Sequence, residues 1–254
     1  MLFMLQELIR ELWLPFVIVF VMCFIYIKYS CVNYFVSREK SLSCKNVLFV
    51  TAHPDDECMF FAPTILSVLA EGHNVFVVCL SKGDYYGQGD IRKKELISSC
   101  SKLGVPASNV TIVDDERLKD DPGKVWDVDF LGSCIMSVCL RVNADCVVTF
   151  DKAGVSGHSN HTALYAAIQK LHKSGRMVDR PVFILESVNL VRKYTSLLDV
   201  PYSSISSPPT FVNSPWQVVQ SVRAMMAHKS QLVWFRKLYV LFSRYMYVNT
   251  LQQL

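Results

Sequence analysis

Five apolar, β-branched runs recur along the chain: NVLFVTA (46–52), NVFVVCLS (74–81), NVTIVDD (109–115), CVVTFD (146–151) and PVFILESV (181–188). They are nearly continuous rather than alternating with polar residues, as strands buried on both faces are. The segments between them carry apolar residues at helical spacing. The first helix is predicted over 56–71, with Met59, Phe60, Pro63, Ile65, Leu66 and Leu69, and closes at Gly72. A second over 90–103 closes at Gly104, a third covers 126–143, and a fourth over 160–174 closes at Gly175. Strands alternating with helices predict right-handed βαβ units, and so an α/β fold with a Rossmann-like parallel sheet covered by helices on both faces.

A different pattern precedes this block. Leu12 to Ile27 (LWLPFVIVFVMCFIYI) holds no charged residue, and with Lys28 and Tyr29 as an edge it approaches the ~20 residues that span a bilayer. The preceding segment is acidic as well as basic (Glu7, Arg10, Glu11), and the bulky YIKYSCVNY that follows offers no small-residue cleavage site. The stretch therefore reads as an uncleaved membrane anchor rather than a signal peptide. Lys28, Arg38, Lys40 and Lys45 lie on its C-terminal side, which places the large remainder in the cytosol. The expected organisation is an anchor over 1–30, a linker over 31–45, the α/β domain over 46–232 and an amphipathic tail over 233–254. In that tail Phe235, Leu238, Tyr239, Phe242, Tyr245 and Met246 fall at helical spacing among Arg236, Lys237 and Arg244. The tail reads equally as a helix on a membrane surface or as one packed on the domain.

Composition narrows the setting. The 254 residues include nine cysteines without a CxxC pair, most in apolar segments, as suits free thiols in a reducing compartment. A net charge of +4 gives no argument for nucleic acid.

The chemistry sits at predicted strand ends, where open α/β sheets bind ligands. AHPDDE (52–57) follows the first strand, SKGD (81–84) the second, and FDKAGVSGHSNH the fourth. First-turn carboxylates complement a helix dipole, but that does not explain three together behind a histidine. His53, Asp56 and one of His158 and His161 would form a two-histidine, one-carboxylate site with an open position, as a catalytic zinc requires. Such an ion lowers the pKa of its water to about 7, and a free carboxylate nearby can take the proton. The same donors also describe non-haem iron oxygenases, which usually present them from a β-barrel.

These motifs resemble the LmbE-like family of metal-dependent sugar deacetylases. AHPDDE matches the family's first motif in full. Gly87, Gly89, Arg92, Glu95, Leu96, Leu103 and Gly104 match its central stretch, and His158 and His161 its late H-x-x-H, with Ser-Asn between them where Pro-Asp is common. The anchor, ESVNLVRKYTSLLD (186–199) and HKSQLVWFRKLYVLFSRYMYVN (228–249) resemble one eukaryotic branch, the N-acetylglucosaminyl-phosphatidylinositol de-N-acetylases of the endoplasmic reticulum. The resemblance implies a zinc-dependent enzyme with His53, Asp56 and His161 as metal ligands and Asp55 as general base. His158 would stabilise the oxyanion or protonate the leaving amine. It implies a membrane glycolipid substrate, with Asp84 and Arg92 in reach of phosphate or sugar hydroxyls. An ion pair with Glu95 or Asp90 is the equal alternative for Arg92. Glu57 is expected to support the helix start, and His228 to be structural. The sequons at Asn109 and Asn160 fall at a strand start and inside the expected site, where a glycan has no room. Residues 200–216 suggest no role. Activity on another N-acetylated sugar, or sugar binding without catalysis, are the competing readings.

Overall fold

The computed structural model describes residues 42, 44–121, 123–200, 202–203 and 209–254, together with Trp13, Val17, Val21 and Phe24. Two compact units divide the chain, residues 1–39 and 40–254. In the first, the four described residues are helical and exposed. No helix among the described residues is long and apolar enough to cross a membrane. The anchor expected over Leu12 to Ile27 otherwise lies outside those residues, as does the linker before Leu42.

In the second unit the apolar runs become strands β1 (Asn46–Thr51), β2 (Asn74–Cys79), β3 (Val110–Ile112), β4 (Cys146–Phe150) and β5 (Val182–Leu185). All five are parallel, with Val47 level with both Val75 and Cys146. Between them run α1 (Asp56–Met59), α2 (Ala62–Ala70), α3 (Gly89–Leu103), α4 (Val128–Arg141) and α5 (Ser159–Lys173). The strand order β3-β2-β1-β4-β5 reverses direction between β1 and β4. Right-handed crossovers then carry α2 and α3 to one face and α4 and α5 to the other. The loops after β1 and β4 part at this reversal and leave a crevice there.

Two expectations need correction. The helix predicted over 56–71 is broken at Phe60 and Phe61. In a continuous helix the ring of Pro63 would strike the Met59 carbonyl, so the chain restarts as α2 with its proline in the first turn. The second concerns the sheet, which is mixed. β6 (Thr210–Val212) and β7 (Val248–Gln253) extend it in the order β5-β7-β6, with β7 antiparallel to both neighbours. The tail expected over 233–254 is α-helical only in α7 (Trp234–Phe242), followed by a 3-10 turn at Arg244–Met246. Tyr245 and Met246 are fully buried, and the remaining residues cover the edge of β5. An open strand edge outweighs a helical pattern that continues a few residues too far. The stretch that suggested no role supplies β6 and a capping box, Ser214 with Gln217, that starts α6 (Pro215–Met225).

Candidate metal and active site

The crevice gathers the two histidine motifs. His53 follows β1, while His158 and His161 open α5 after β4. The ligand atoms of these three imidazoles lie within 4.8 Å of one another. His53 and His161 are buried and His158 is exposed. His161 is held on every side. Its ring stacks on Phe150 at 3.9 Å and 5°, and its Nδ1 donates to the Gly154 carbonyl at 3.1 Å. Gly154 has a φ of +56°, and a Cβ there would come within 2.8 Å of the His161 Cβ, so this position requires glycine.

Asp56 completes the group. Its Oδ2 accepts the Ala52 and His53 N–H groups at 2.8 and 2.9 Å. Its Oδ1 lies 3.2 Å from His161 Nε2. Burial pushes the Asp56 carboxyl up, but His161 and His53 outweigh it and hold its pKa well below the usual carboxylate range. With His161 Nδ1 donating, the neutral ring's Nε2 is a lone pair facing a carboxylate. A proton or a divalent cation satisfies both, and imidazole with carboxylate is a donor set that the borderline-soft zinc ion takes. The residues present therefore fit a divalent metal.

Asp55 stands beside this group in an unusual backbone. Its φ of 109° is in the left-handed region, which costs a non-glycine residue ~1–3 kcal/mol and persists only where neighbours hold it. Glu57 does so. Its Oε2 accepts the Asp55 N–H at 3.0 Å, while its Oε1 meets Ser99 Oγ and, at 2.8 Å, His228 Nε2. Glu57 and His228 are both fully buried, and Gln231 Nε2 bonds His228 Nδ1 at 3.0 Å. The Asp55 carboxylate itself forms an ion pair with Arg236 of α7.

The sequence model "PIG-L: GlcNAc-PI de-N-acetylase" matches residues 48–172, which contain all of these motifs. A bovine N-acetylglucosaminyl-phosphatidylinositol de-N-acetylase is 50% identical over 206 residues, covering 80% of this chain and 81% of its own. A probable enzyme of the same name from Schizosaccharomyces pombe is 39% identical, covering 88% and 93%. The chain belongs to this family. At the level of fold, it is similar to an N,N'-diacetylchitobiose deacetylase from Pyrococcus horikoshii, with a TM-score of 0.60, 16% identity and 84% of each chain covered.

The family's other motif residues take distinct positions. Arg92 meets neither expected acid. Its Nη1 donates to the Gly83 carbonyl at 2.8 Å and to Asp120 at 3.4 Å, and its Nη2 to the Pro54 carbonyl at 2.9 Å. It ties the AHPDDE loop to the loop after β2, while Lys93 takes Asp90 and the Ser230–Gln231 turn takes Glu95. Asp84 stays outside the histidine group. Its Oδ1 accepts the Gly89 N–H at 2.7 Å and its Oδ2 pairs with Lys82 at 3.4 Å. It lines a polar cavity of about 300 Å³ whose wall also includes Asp120.

Asp120 is the principal residue missed. Its Oδ1 lies 3.2 Å from His53 Nε2. Burial raises its pKa, but His53 and Arg92 more than reverse this, so it lies below the usual range. A signal existed, because the loop after β3 opens on the same rim as the other three. Asn160, read only as a sequon, is 2% exposed and its amide lies 2.9 Å from His53 Nε2. Nothing in the sequence pointed to Arg236.

Proposed function

We propose that this chain hydrolyses the N-acetyl group of N-acetylglucosaminyl-phosphatidylinositol, releasing acetate and leaving glucosaminyl-phosphatidylinositol. This is the second step of glycosylphosphatidylinositol anchor synthesis. The observation that carries the reading is the convergence of two buried histidines and Asp56 with a separate carboxylate, Asp55, and an exposed histidine, His158, at the reversal point of the sheet. The names of the bovine and fission-yeast relatives support this choice of substrate.

His53, Asp56 and His161 would hold the metal, zinc by the chemistry of the donors. A divalent ion there supplies Lewis-acid polarisation of the amide carbonyl and lowers the pKa of a water. Asp55 is the base that takes the water's proton. In the structure Arg236 stands against its Oδ2.

His158 is suited to the opposite duty. Its Nδ1 accepts the Asn160 N–H at 3.3 Å, so in the neutral ring the proton sits on Nε2. Desolvation and the adjacent His53 and His161 keep its pKa below the usual imidazole value. It therefore offers an N–H hydrogen bond to the developing oxyanion, while the proton that Asp55 took from the water passes on to the departing amine. Asp84 and the cavity it shares with Asp120 would take sugar or inositol hydroxyls, while Arg92 steadies the loop that carries Asp55.

The same reading puts the domain on the cytosolic face of the endoplasmic reticulum membrane, anchored through the span expected at residues 12–27. Three features support that side. Asn160 is buried, Asn109 spends its amide on the Val75 carbonyl at 3.0 Å, and the seven described cysteines are free thiols.

Metal analysis of the purified full chain, with deacetylation assayed before and after chelation, tests the reading. One divalent ion per chain, activity abolished by chelation and restored by added zinc, and an ion lost in His161→Ala are the expected results. Turnover that survives removal of the metal would refute it.

A further inference from the structure

A groove of about 570 Å³ opens beside Asp55, between the one-turn helix Leu190–Lys193 and α7. Phe60 forms part of its wall, and its ring centre lies 5.6 Å from that of His161. Arg236, on the same wall, reaches Asp55. The groove therefore leads from the surface to the reacting centre.

Its charge has one sign. Neither WFRKLYVLF (234–242) nor LVRK (190–193) contains an acidic residue. Arg192 is already neutralised by Asp199 at 2.7 Å. Lys193 is different: burial lowers its pKa with no carboxylate acting against it, and no ion pair involves it among the described residues. Among the described residues Arg236 has Asp55 as its one ion-pair partner. Above these two cations stand large apolar side chains in solvent, Leu190 at 72%, Val191 at 75%, Trp234 at 73% and Phe235 at 55% exposure. Apolar and tryptophan side chains outermost, with cations one layer in, match the depth order of a bilayer interface. Patches of this kind on a soluble face mark contact surfaces.

We propose that this groove takes the lipid half of the substrate, with Lys193 and Arg236 meeting its phosphodiester and the Leu190–Val191 and Trp234–Phe235 edges lying in the membrane surface. The inference rests on the deacetylase reading and adds a specificity device to it. The substrate's phosphate draws Arg236 from Asp55, so the base is fully freed only when a phospholipid occupies the groove. Lys193 and Arg236 are positioning residues and take no part in bond making.

The test compares full-length wild type, Lys193→Ala and Arg236→Gln in phosphatidylcholine vesicles. Each is assayed on N-acetylglucosaminyl-phosphatidylinositol and on water-soluble N-acetylglucosaminyl-inositol, which lacks the phosphate. Each variant should lose about tenfold in kcat/KM on the lipid relative to its own change on the soluble compound. In Lys193→Ala the loss should fall on KM. Equal proportional losses on both compounds would overturn the inference. If wild type turns over only the lipid, the split decides: a raised KM supports the groove and a lowered kcat alone defeats it. Wild type that hydrolyses neither compound sinks the deacetylase reading instead. A second measurement needs no turnover. Chain-brominated phosphatidylcholine should quench the fluorescence of wild type more than that of Trp234→Phe, and equal quenching would remove the groove edge from the membrane.

Discussion

The parallel half of the domain and its C-terminal extension serve one site in different ways. β1 to β5 and their loops contribute every histidine of the proposed metal group, Asp55, Asp56 and Asp120. The extension from residue 210 onward adds none of these, yet it braces the loop after β1 at several points. His228 holds Glu57, Arg236 holds Asp55, Tyr239 Oη donates to the Met59 carbonyl at 3.1 Å, and Asn249 Nδ2 donates to the Phe60 carbonyl at 2.8 Å. The last two matter because the break before Pro63 strips those carbonyls of helical partners, and buried backbone groups need replacements. Reactive groups come from short local motifs, and their positions are fixed by residues nearly two hundred places away.

Breaking the reactive half should have the largest effect. Asp55→Asn keeps the size and the tolerance of positive φ but removes the proposed base. We expect kcat to fall about 10²–10⁴-fold, with metal content and melting temperature near wild type. Stopped-time deacetylation and metal analysis on the same sample check this. A kcat within threefold of wild type would put the base elsewhere.

That asymmetry also explains what could be read in advance. NVLFVTA and CVVTFD announce buried strands because apolar β-branched runs of that length have few other fates. AHPDDE and GHSNH then fall on one rim by topology alone. Arg236 was unreadable as a site residue. Its helical spacing reveals a face, but which face meets Asp55 depends on how α7 packs across the sheet. The C-terminal strand was hidden for a similar reason, since VNTLQQ carries too little pattern to outweigh the helical run before it. Asp120 lies between. Its loop was on the predicted rim, but ERLKDDPGK offers several acids and no spacing to choose among them.

The brace can be broken more gently. His228→Ala leaves Glu57 buried without its imidazole partner. Removing one member of a buried pair costs about 3 kcal/mol, or about 10 °C in melting temperature for a domain of this size. Activity should fall as well, because Glu57 no longer holds the strained Asp55 backbone. His228→Gln, which can still donate to Glu57, should recover part of both. A melting temperature within 2 °C of wild type in His228→Ala would show that the extension merely covers the loop.

The smallest effect separates bracing the reactive loop from bracing the helix break. Asn249 accepts from Thr64 Oγ1 at 2.8 Å and from Thr64 N at 3.2 Å while donating to Phe60 O. Asn249→Ala therefore strands buried backbone groups at a cost of about 1–3 kcal/mol, or roughly 5 °C. Thr64→Val removes only the hydroxyl donor, and a double-mutant cycle should give a coupling of about 1 kcal/mol between the two. Activity at a temperature where all variants are folded should move less than about threefold, because Pro63 still enforces the break and Tyr239 still holds Met59. A loss beyond tenfold in Asn249→Ala would erase the distinction. It would mean that the spacing between α1 and α2, set from β7, reaches the metal group through Phe60 against His161.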